Sequence, residues 1–259
     1  MNQIFPLVIP LFLISCAGTQ GALLLAGGGE LPPSFFKNSL ALAAAAESKI
    51  LIFPQASSRA EAGTEAAKLW TEAGADQVWI ANLNKTQETR ELIKEADILW
   101  FSGGSQLQLL ERLQKAALIP AIQNRHQQGT VVGGTSAGAA AMGKIVISGN
   151  PEPGPYIPGA MARHQGLSLC PTLIIDQHFT QRKRNNRLTT AVIDNPSHLG
   201  IGISEGTILL IRGRTAKAIG KGPVHVFDGR EAKISNNKNQ QAVRGIHLSI
   251  LQNGDSISW

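Results

Sequence analysis

A serine lies at the centre of residues 134–138, which read GTSAG and follow an apolar run, TVVG. G-x-S-x-G between a strand and a helix of small residues is typical of a nucleophile elbow, a sharp turn that exposes a serine oxygen above a sheet edge. Backbone N–H groups of Ala137 and of Gly104, in a neighbouring glycine turn, would then stabilise an oxyanion. The pattern predicts Ser136 as a nucleophile, although a structural serine in a glycine-rich turn has the same spacing.

A serine nucleophile needs a base to accept its proton, and the base needs an acceptor that orients it. Of the six histidines, His178 differs in closing an apolar strand, LIIDQH, so we expect it at the same sheet edge as Ser136. Asp176 is two residues away and poorly placed to reach the ring, whereas Glu205 ends another apolar strand in GIGISEG. The predicted order of serine, histidine and glutamate differs from the usual α/β-hydrolase order of serine, acid and histidine.

Three segments together, GGTSAGAA, IIDQHFTQRKRNNRL and GIGISEG, resemble the cyanophycinase family. The similarity extends from near residue 21 to at least residue 206. It implies a glutamine-amidotransferase-like α/β fold and a serine peptidase that needs no cofactor or metal. The family hydrolyses cyanophycin, a polyaspartate with arginine on each side-chain carboxyl, to β-aspartyl-arginine dipeptides. Its nucleophile, base and acid correspond here to Ser136, His178 and Glu205.

The resemblance also implies a set of substrate-binding residues. They are Gln106 in GGSQ, Gln177 before the histidine, and Arg182, Arg184 and Arg187 in the basic run after it. Arg184 and Arg187 would share a helix face, so Arg182 can join them only if it precedes the helix. Two family acids are absent, because Ser105 and Ser204 occupy their positions. Short aspartyl or isoaspartyl peptides therefore remain an alternative substrate, and a non-catalytic binder of acidic polymer remains an alternative function.

The elements that would position these residues alternate between strand and helix. Strands are predicted at residues 21–26, 49–53, 77–81, 97–101 and 130–133, and helices at 34–47 (with Ser34 as N-cap), 60–73, 86–96, 106–117 and 120–127. This alternation predicts a three-layer α/β fold with a mostly parallel sheet flanked by helices. A proline-rich loop over 150–163, a strand at 173–175 and a helix over 181–193 follow. From residue 199 short strands separated by glycine turns indicate antiparallel strands extending the same sheet, within one domain over 21–259.

The first 17 residues have a separate character. Residues 4–17, IFPLVIPLFLISCA, form an apolar run too short to span a bilayer and typical of a secretory signal, although no Lys or Arg precedes it. Cleavage after Ala17 and lipidation of Cys16 both fit, as does a short buried helix. We therefore expect an exported, periplasmic, lipid-anchored or extracellular protein. Cys170, the other cysteine, is expected to be a small buried residue.

Charge narrows the class of partner. The 259 residues include 24 Lys and Arg and 18 Asp and Glu, a net charge of +6, with only 5% aromatic residues. Four of the basic residues lie in the run 182–187, and without them the chain has 20 basic and 18 acidic side chains. Because the excess is local, we expect an acidic substrate in a crevice and not a nucleic acid. The family resemblance also implies a homodimer.

Overall fold

A computed structural model describes residues 20–43, 47–149, 156–157, 159, 161–237 and 240–259. The predicted signal segment 1–17 with Cys16, and most of the predicted loop 150–163, lie outside the described residues. Within the described parts, none of the helices is long and apolar enough to cross a membrane.

A central sheet of eight strands is the largest sheet of the described chain. Its five parallel strands are β1 (Leu23–Ala26), β2 (Lys49–Phe53), β3 (Gln77–Ile80), β4 (Ile98–Phe101) and β5 (Val131–Thr135), in the spatial order β1-β5-β4-β2-β3. Three antiparallel strands extend it beyond β1, namely β10 (Thr207–Arg212), β11 (Thr215–Gly220) and β16 (Ser256–Ser258). Strands β1, β2, β4 and β5 are apolar and buried along almost their whole length, as expected for strands covered on both faces.

Helices cover both faces of this sheet. They are α1 (Pro33–Leu40), α2 (Ala62–Glu72), α3 (Thr86–Glu95), α4 (Gln106–Lys115), α5 (Ile119–Gln127) and α6 (Ala137–Ala140). A further helix, α7 (Asn185–Asp194), packs on a second sheet. Helices α1 and α2 pack an aromatic cluster of Phe35, Phe36 and Trp70 against Trp100 of β4 on one face. Helices α3 to α6 cover the opposite face. The predicted three-layer α/β architecture, with a mostly parallel sheet flanked by helices, is confirmed.

A second sheet corrects one part of the prediction. Strands β8 (Leu173–Asp176), β9 (Leu199–Ile203), β12 (Val224–Asp228) and β15 (His247–Leu251) do not extend the central sheet but form their own, in the order β15-β12-β9-β8. Apolar side chains on its inner face share the larger core with the antiparallel strands of the central sheet. On its outer face α7 packs closely, because Gly200 leaves no side chain between β9 and Leu188 and Val192. Strands β8 and β9 are buried at every residue, as expected for strands covered on both faces, whereas β15 is largely exposed.

Two hairpins complete the described chain. The first joins β6 (Ile145–Ser148) and β7 (Ala162–Gln165), and the second joins β13 (Lys233–Asn237) and β14 (Gln240–Arg244). Both hairpins are antiparallel.

Two predicted helices differ from the structure. The first begins at Pro33, without a side-chain cap from Ser34, and ends at Leu40. Proline at the first helical position is favourable because its fixed φ suits a helix and its missing N–H would have no partner there. The helix predicted over 181–193 begins only at Asn185, since Lys183 takes a positive φ of 50° that a continuing helix excludes.

Candidate active site

The turn between β5 and α6 holds Ser136 in an uncommon backbone conformation. Its φ is 52° and its ψ is −114°, outside the regions that a non-glycine residue ordinarily adopts. The helix begins at the next residue, Ala137, and lies directly against β4. A Cβ built on Gly138 would be 2.3 Å from the carbonyl oxygen of Phe101, so only glycine permits this approach. The geometry is that of a strand–turn–helix elbow with the serine at its apex.

Three side chains from separate elements form a continuous hydrogen-bonded relay. The Oγ of Ser136 lies 2.8 Å from Nε2 of His178, which follows β8. Nδ1 of His178 lies 2.5 Å from Oε1 of Glu205, which follows β9. The imidazole side chain is 12% exposed and the glutamate side chain 37% exposed, so the base is largely shielded while the acid reaches solvent. This is the arrangement in which a carboxylate fixes the tautomer of a base and the base accepts a proton from a hydroxyl.

The glycine turn after β1 makes room for the base and the acid. The N–H of His178 donates to the carbonyl oxygen of Gly27 at 2.7 Å, and the N–H of Gly206 donates to that of Gly28 at 2.9 Å. A Cβ built on Gly28 would lie 2.3 Å from Cε1 of the imidazole, so any side chain there would displace the ring. His178 itself has a φ of 47°. The base is thus held in a second strained conformation by contacts from both sheets.

Burial lowers the pKa of His178 below its ordinary value, and the positive charges of Arg182 and Arg184 lower it further. The hydrogen bond and charge of Glu205 act in the opposite direction but do not cancel these effects. The imidazole is therefore neutral at neutral pH, the state in which it can accept a proton from Ser136.

The predicted oxyanion groups lie around the nucleophile. Ala137 is the first residue of α6, so the helix itself cannot satisfy its N–H. The turn of Gly103 and Gly104 follows β4, the strand next to β5, and a Cβ built on Gly103 would be 3.9 Å from Oγ of Ser136. The backbone of this turn therefore approaches the nucleophile closely. Ala137 and Gly104 as oxyanion donors stay a prediction that this geometry permits.

The basic run divides into an exposed and a buried part. Arg182 precedes α7, as predicted, and is exposed. Arg184 and Arg187 instead lie in the interior, against a carboxylate that is fully buried. Arg184 donates to Oδ1 of Asp176 at 3.0 Å, and Arg187 contacts both carboxylate oxygens, at 2.5 and 2.9 Å. The structure thus places these two guanidinium groups in an internal ion-pair cluster. The family resemblance had implied that they contact substrate.

The two predicted glutamines occupy different environments. Gln106 begins α4 and is half-buried, and its Nε2 donates to the carbonyl oxygen of Ile147 at 3.2 Å. Gln177 is buried, and its Oε1 accepts from Nη1 of Arg184 at 2.9 Å. Gln177 therefore connects the internal cluster to the base that follows it in the chain.

The two serines at the family's acidic positions both have structural partners. Ser105 caps α4, accepting from the N–H of Gln108 at 3.3 Å. Ser204 is fully buried and accepts from the hydroxyl of Thr180 at 2.6 Å. Neither position supplies negative charge.

Two positioning residues were not predicted from the sequence. Thr180 bonds Ser204, and Oε1 of Gln181 accepts from the N–H of Glu205 at 3.1 Å. The turn that carries the base thereby also holds the loop that carries the acid. Both lie in HFTQ, a part of the segment that carries the family resemblance. Only that resemblance could have indicated their importance from the sequence.

Other reactive groups lie apart from this relay. Cys170 is buried, and burial raises the pKa of its thiol to about 12, so it is unreactive at neutral pH. The described residues contain no group of three or more His, Cys, Asp or Glu placed to hold a metal ion.

Comparisons with known proteins agree on one family. A model of peptidase family S51 matches residues 23–219. Cyanophycinase of Geminocystis herdmanii is 31% identical over 219 residues, 80% of each chain. Peptidase E of Pasteurella multocida is 31% identical over 158 residues, 58% of this chain and 65% of that one. The crystal structure of a peptidase from an acI-B1 actinobacterium superimposes with a TM-score of 0.70 at 22% identity, covering 94% of this chain and 98% of the other, and so shares the fold.

Proposed function

The chain belongs to peptidase family S51 and is a serine-type peptidase, and on that premise we propose that it hydrolyses cyanophycin to β-aspartyl-arginine dipeptides. One observation carries the mechanism: Ser136, His178 and Glu205 form a relay with separations of 2.8 and 2.5 Å. Cyanophycin as the substrate is supported by the cyanophycinase relative, which matches four fifths of the chain.

The proposed reaction proceeds through an acyl-enzyme. Oγ of Ser136 attacks the backbone carbonyl carbon of an aspartyl residue while Nε2 of His178 accepts the hydroxyl proton. The N–H groups of Ala137 and Gly104 donate to the resulting oxyanion, which forms beside the elbow. When the intermediate collapses, the C–N bond breaks and the proton on His178 passes to the leaving amine. Water then attacks the ester carbon while Nε2 of His178 accepts its proton. When the C–Oγ bond breaks, His178 returns this proton to Oγ of Ser136 and the acid is released.

Glu205 keeps the imidazole in the tautomer that this sequence requires. Because Nδ1 donates to the carboxylate, Nε2 is left with the lone pair that takes the serine proton. The imidazolium that forms during each step is stabilised by the same carboxylate. The exposure of Glu205 at the mouth of the site does not remove this effect, since the ring between the two is shielded.

The decisive experiment replaces the nucleophile. Ser136→Ala is expected to lower release of dipeptide from purified cyanophycin by about 10⁴-fold or more. The chain offers a matched control, because Ser148 also lies 2.8 Å from a histidine nitrogen, that of His164, in the β6–β7 hairpin. Ser148→Ala is expected to retain activity. Undiminished dipeptide release by Ser136→Ala would refute the assignment.

A second candidate substrate is a short peptide with an aspartyl or isoaspartyl residue. It is favoured by the uncharged Ser105 and Ser204, which remove two acids from positions near the site, and by the similarity to a peptidase E. A direct comparison of kcat/KM for intact cyanophycin and for aspartyl dipeptides distinguishes the two candidate substrates. A higher kcat/KM for the dipeptides would identify short peptides, and not the polymer, as the substrate.

We also propose that the protein is exported and that Cys16 carries a lipid. The apolar run 4–17 supports export, and a small residue before Cys16 supports lipidation. The test is expression of the full chain in a bacterium, followed by fractionation and mass spectrometry of the mature N-terminus. Membrane association that Cys16→Ser abolishes is the expected result. An intact N-terminus in the cytoplasm would contradict export, and a soluble chain cleaved after Ala17 would contradict lipidation.

We propose further that the mature chain is a homodimer, on the family resemblance alone. Sedimentation or light scattering of the purified protein at micromolar concentration measures its mass. A mass of one chain at all concentrations would contradict the proposal.

A further inference from the structure

Strand β15 forms one edge of the second sheet, and no described strand pairs with its outer side. Its five residues, HLSIL, pair with β12 in an uninterrupted register and include no Lys, Arg, Asp, Glu or Pro. The first four are exposed. Soluble proteins ordinarily protect such an edge with charged residues, proline, a bulge or a covering element, because a free edge pairs readily with another chain. Strand β15 has none of these features, so its outer side is open to pairing.

The backbone groups that line this edge follow from the hydrogen bonds of the neighbouring strands. The N–H of Ser204 donates to the carbonyl oxygen of Pro223, the residue before β12, at 3.3 Å, so every second residue of β12 from that point faces β9. The residues between them face β15, where their partners are the first, third and fifth residues of the strand. The second and fourth residues, Leu248 and Ile250, therefore direct their N–H and C=O groups outward.

The side chains of the same two residues form an exposed apolar patch. Leu248 pairs with Phe227 of β12, and Ile250 pairs with His225, so their side chains share one face of the sheet. Phe227 belongs to the core between this face and α7, whereas Leu248 and Ile250 are 52% and 51% exposed. The apolar face therefore continues beyond the helix to the free edge. An apolar surface at an unpaired edge is typical of a contact with another chain.

An antiparallel copy of the same strand satisfies the backbone and the side chains together. In an antiparallel pair centred on Ser249, Leu248 of each copy lies opposite Ile250 of the other. Their outward N–H and C=O groups then hydrogen-bond in both pairs, and the apolar side chains pack across the contact. This two-fold register is the one that pairs all of these outward groups among residues of the strand itself. The edge is thus self-complementary, as an isologous contact requires.

Charge also favours a second copy as the partner. Arg244 precedes β15, Asp255 lies in the turn that follows it, and both are exposed. Because an antiparallel partner runs in the opposite direction, the basic end of each strand lies beside the acidic end of the other. No charged residue of one strand faces a like charge of its copy.

We propose that β15 is the interface of a homodimer, in which two copies pair antiparallel about Ser249 and their second sheets join into one. The inference rests on the proposed homodimer and is independent of the proposed substrate. The base follows β8, at the opposite edge of the same sheet, so the interface leaves both catalytic relays free. One pair of short strands buries less than the roughly 1,200 Å² of a standard interface, so we expect a reversible dimer with a dissociation constant on the order of micromolar.

The first test is a cross-link. Around the centre of the proposed pair the Cα atoms of Ser249 would lie about 4.5 Å apart, within the range that a disulfide spans. Ser249→Cys is therefore expected to form a covalent dimer under mild oxidation, seen by non-reducing gel electrophoresis. Ser256→Cys, on the exposed edge strand β16 of the central sheet, is the matched control and should not form one. Both variants also carry Cys16→Ser, which leaves the buried Cys170 as the only other cysteine.

The second test weakens the contact in solution. Ile250→Lys replaces both symmetric apolar contacts by a charged group, the device by which natural edge strands avoid pairing. The dissociation constant from analytical ultracentrifugation is expected to rise by at least about tenfold. Ile219→Lys, at a side chain on β11 that is 40% exposed, is the matched control and should leave the dissociation constant unchanged. Dipeptide release should be the same in both variants, because neither position lies near the relay.

The outcomes separate the interface from the dimer itself. If wild type is dimeric and Ser249→Cys yields no more covalent dimer than Ser256→Cys, the inference is overturned and the homodimer stands. The same conclusion follows if Ile250→Lys, in a folded and active protein, leaves the dissociation constant unchanged. A wild type that stays monomeric at all concentrations overturns both the interface and the homodimer. Hydrolysis of cyanophycin is tested separately by Ser136→Ala.

Discussion

Two residues of the relay, Ser136 and His178, adopt positive φ values that are unfavourable for residues with side chains. In both, the surrounding backbone explains how the conformation is maintained. Ser136 donates its N–H to the carbonyl oxygen of Ala26 at 2.9 Å, and His178 donates to Gly27, so the end of β1 holds both. Ser136 and His178 are therefore positioned by two consecutive residues, Ala26 and Gly27. Strain of this kind, maintained by hydrogen bonds on several sides, favours a pre-organised site.

At the residue scale, the charge of Arg182 should set where activity falls at low pH. Its positive charge lowers the pKa of His178, and His178 must be neutral to accept a proton. Arg182→Gln removes that charge and so raises the pKa of His178. The acid limb of kcat/KM against pH is then expected to move to higher pH. The movement should shrink in 1 M salt, where the Debye length is about 3 Å.

The control for this prediction is Lys183→Gln, which removes an equally exposed positive charge from the next position. We expect its acid limb to stay close to that of the wild type. If Arg182 acted only by binding substrate, its replacement would lower the curve at every pH without moving the limb. An unmoved limb in Arg182→Gln would therefore contradict the electrostatic role.

The proximity of Ser136, His178 and Glu205 could be predicted from the sequence, because each lies in a turn after an apolar strand. The environment of Arg184 and Arg187 could not be predicted, because it depends on Asp176, and no sequence pattern connects this residue to the two arginines. Asp176 lies 8 and 11 residues earlier and was considered only as a possible acid for His178. Its burial between two guanidinium groups follows from how α7 packs on β8, which requires the three-dimensional structure.

At the element scale, this internal cluster connects the strand before the base to the helix after it. Asp176 ends β8, while Arg184 and Arg187 lie at the start of α7, and Arg187 also donates to the carbonyl oxygen of Gly149 at 2.9 Å. The base lies on the turn between these two elements. We infer that the cluster acts on the site by fixing the geometry of this turn.

Asp176→Asn should therefore be strongly destabilising. It leaves two largely buried guanidinium groups without a counter-charge, and breaking a buried ion pair in this way costs about 3 to 5 kcal/mol. The measurement is the free energy of unfolding from urea denaturation of purified wild type and variant. A cost below about 1 kcal/mol would contradict the assigned role of the cluster.

A matched exposed pair serves as the control. Asp228 contacts Arg230 at 2.7 Å, but the two side chains are 27% and 42% exposed. Asp228→Asn is expected to cost less than about 1 kcal/mol, because solvent screens an exposed pair. Equal costs for the two variants would indicate that burial does not govern the contribution of Asp176.

Prediction succeeded for elements whose partners are near in the chain. Apart from the end of the first helix, the alternating strands and helices up to β5 were predicted with boundaries close to those observed, because each strand is apolar and each helix is bounded by turn residues. The assignment of β8, β9, β12 and β15 to a separate sheet was missed. Buried strands such as β8 and β9 would suit either sheet, so their composition cannot tell which neighbour they pair with. That choice depends on long-range packing of the inner face and of α7.

At the scale of the whole molecule, the structure changes the meaning of the net charge of +6. The basic run was expected to place its excess beside the base, where it would favour an acidic substrate in a crevice. Two of its four members are instead neutralised in part by Asp176, which leaves Arg182 and Lys183 as the exposed charges of this run. Attraction of an anionic polymer over long distances is correspondingly weaker than the sequence alone suggests.

This charge distribution predicts how activity depends on salt. Each unit of cyanophycin carries one guanidinium and one free carboxylate, so the polymer has little net charge, whereas unmodified polyaspartate is strongly anionic. Raising the salt concentration from 0.1 to 1 M shortens the Debye length from about 10 Å to about 3 Å. We expect kcat/KM for cyanophycin to change by less than about twofold, because its recognition depends on short-range contacts. Inhibition by polyaspartate of matched length should weaken by about tenfold, since it depends on the remaining exposed basic charge. An equal loss of kcat/KM for cyanophycin and of inhibition by polyaspartate would contradict this prediction. It would mean that long-range attraction, and not short-range contact with the lining of the crevice, selects the substrate.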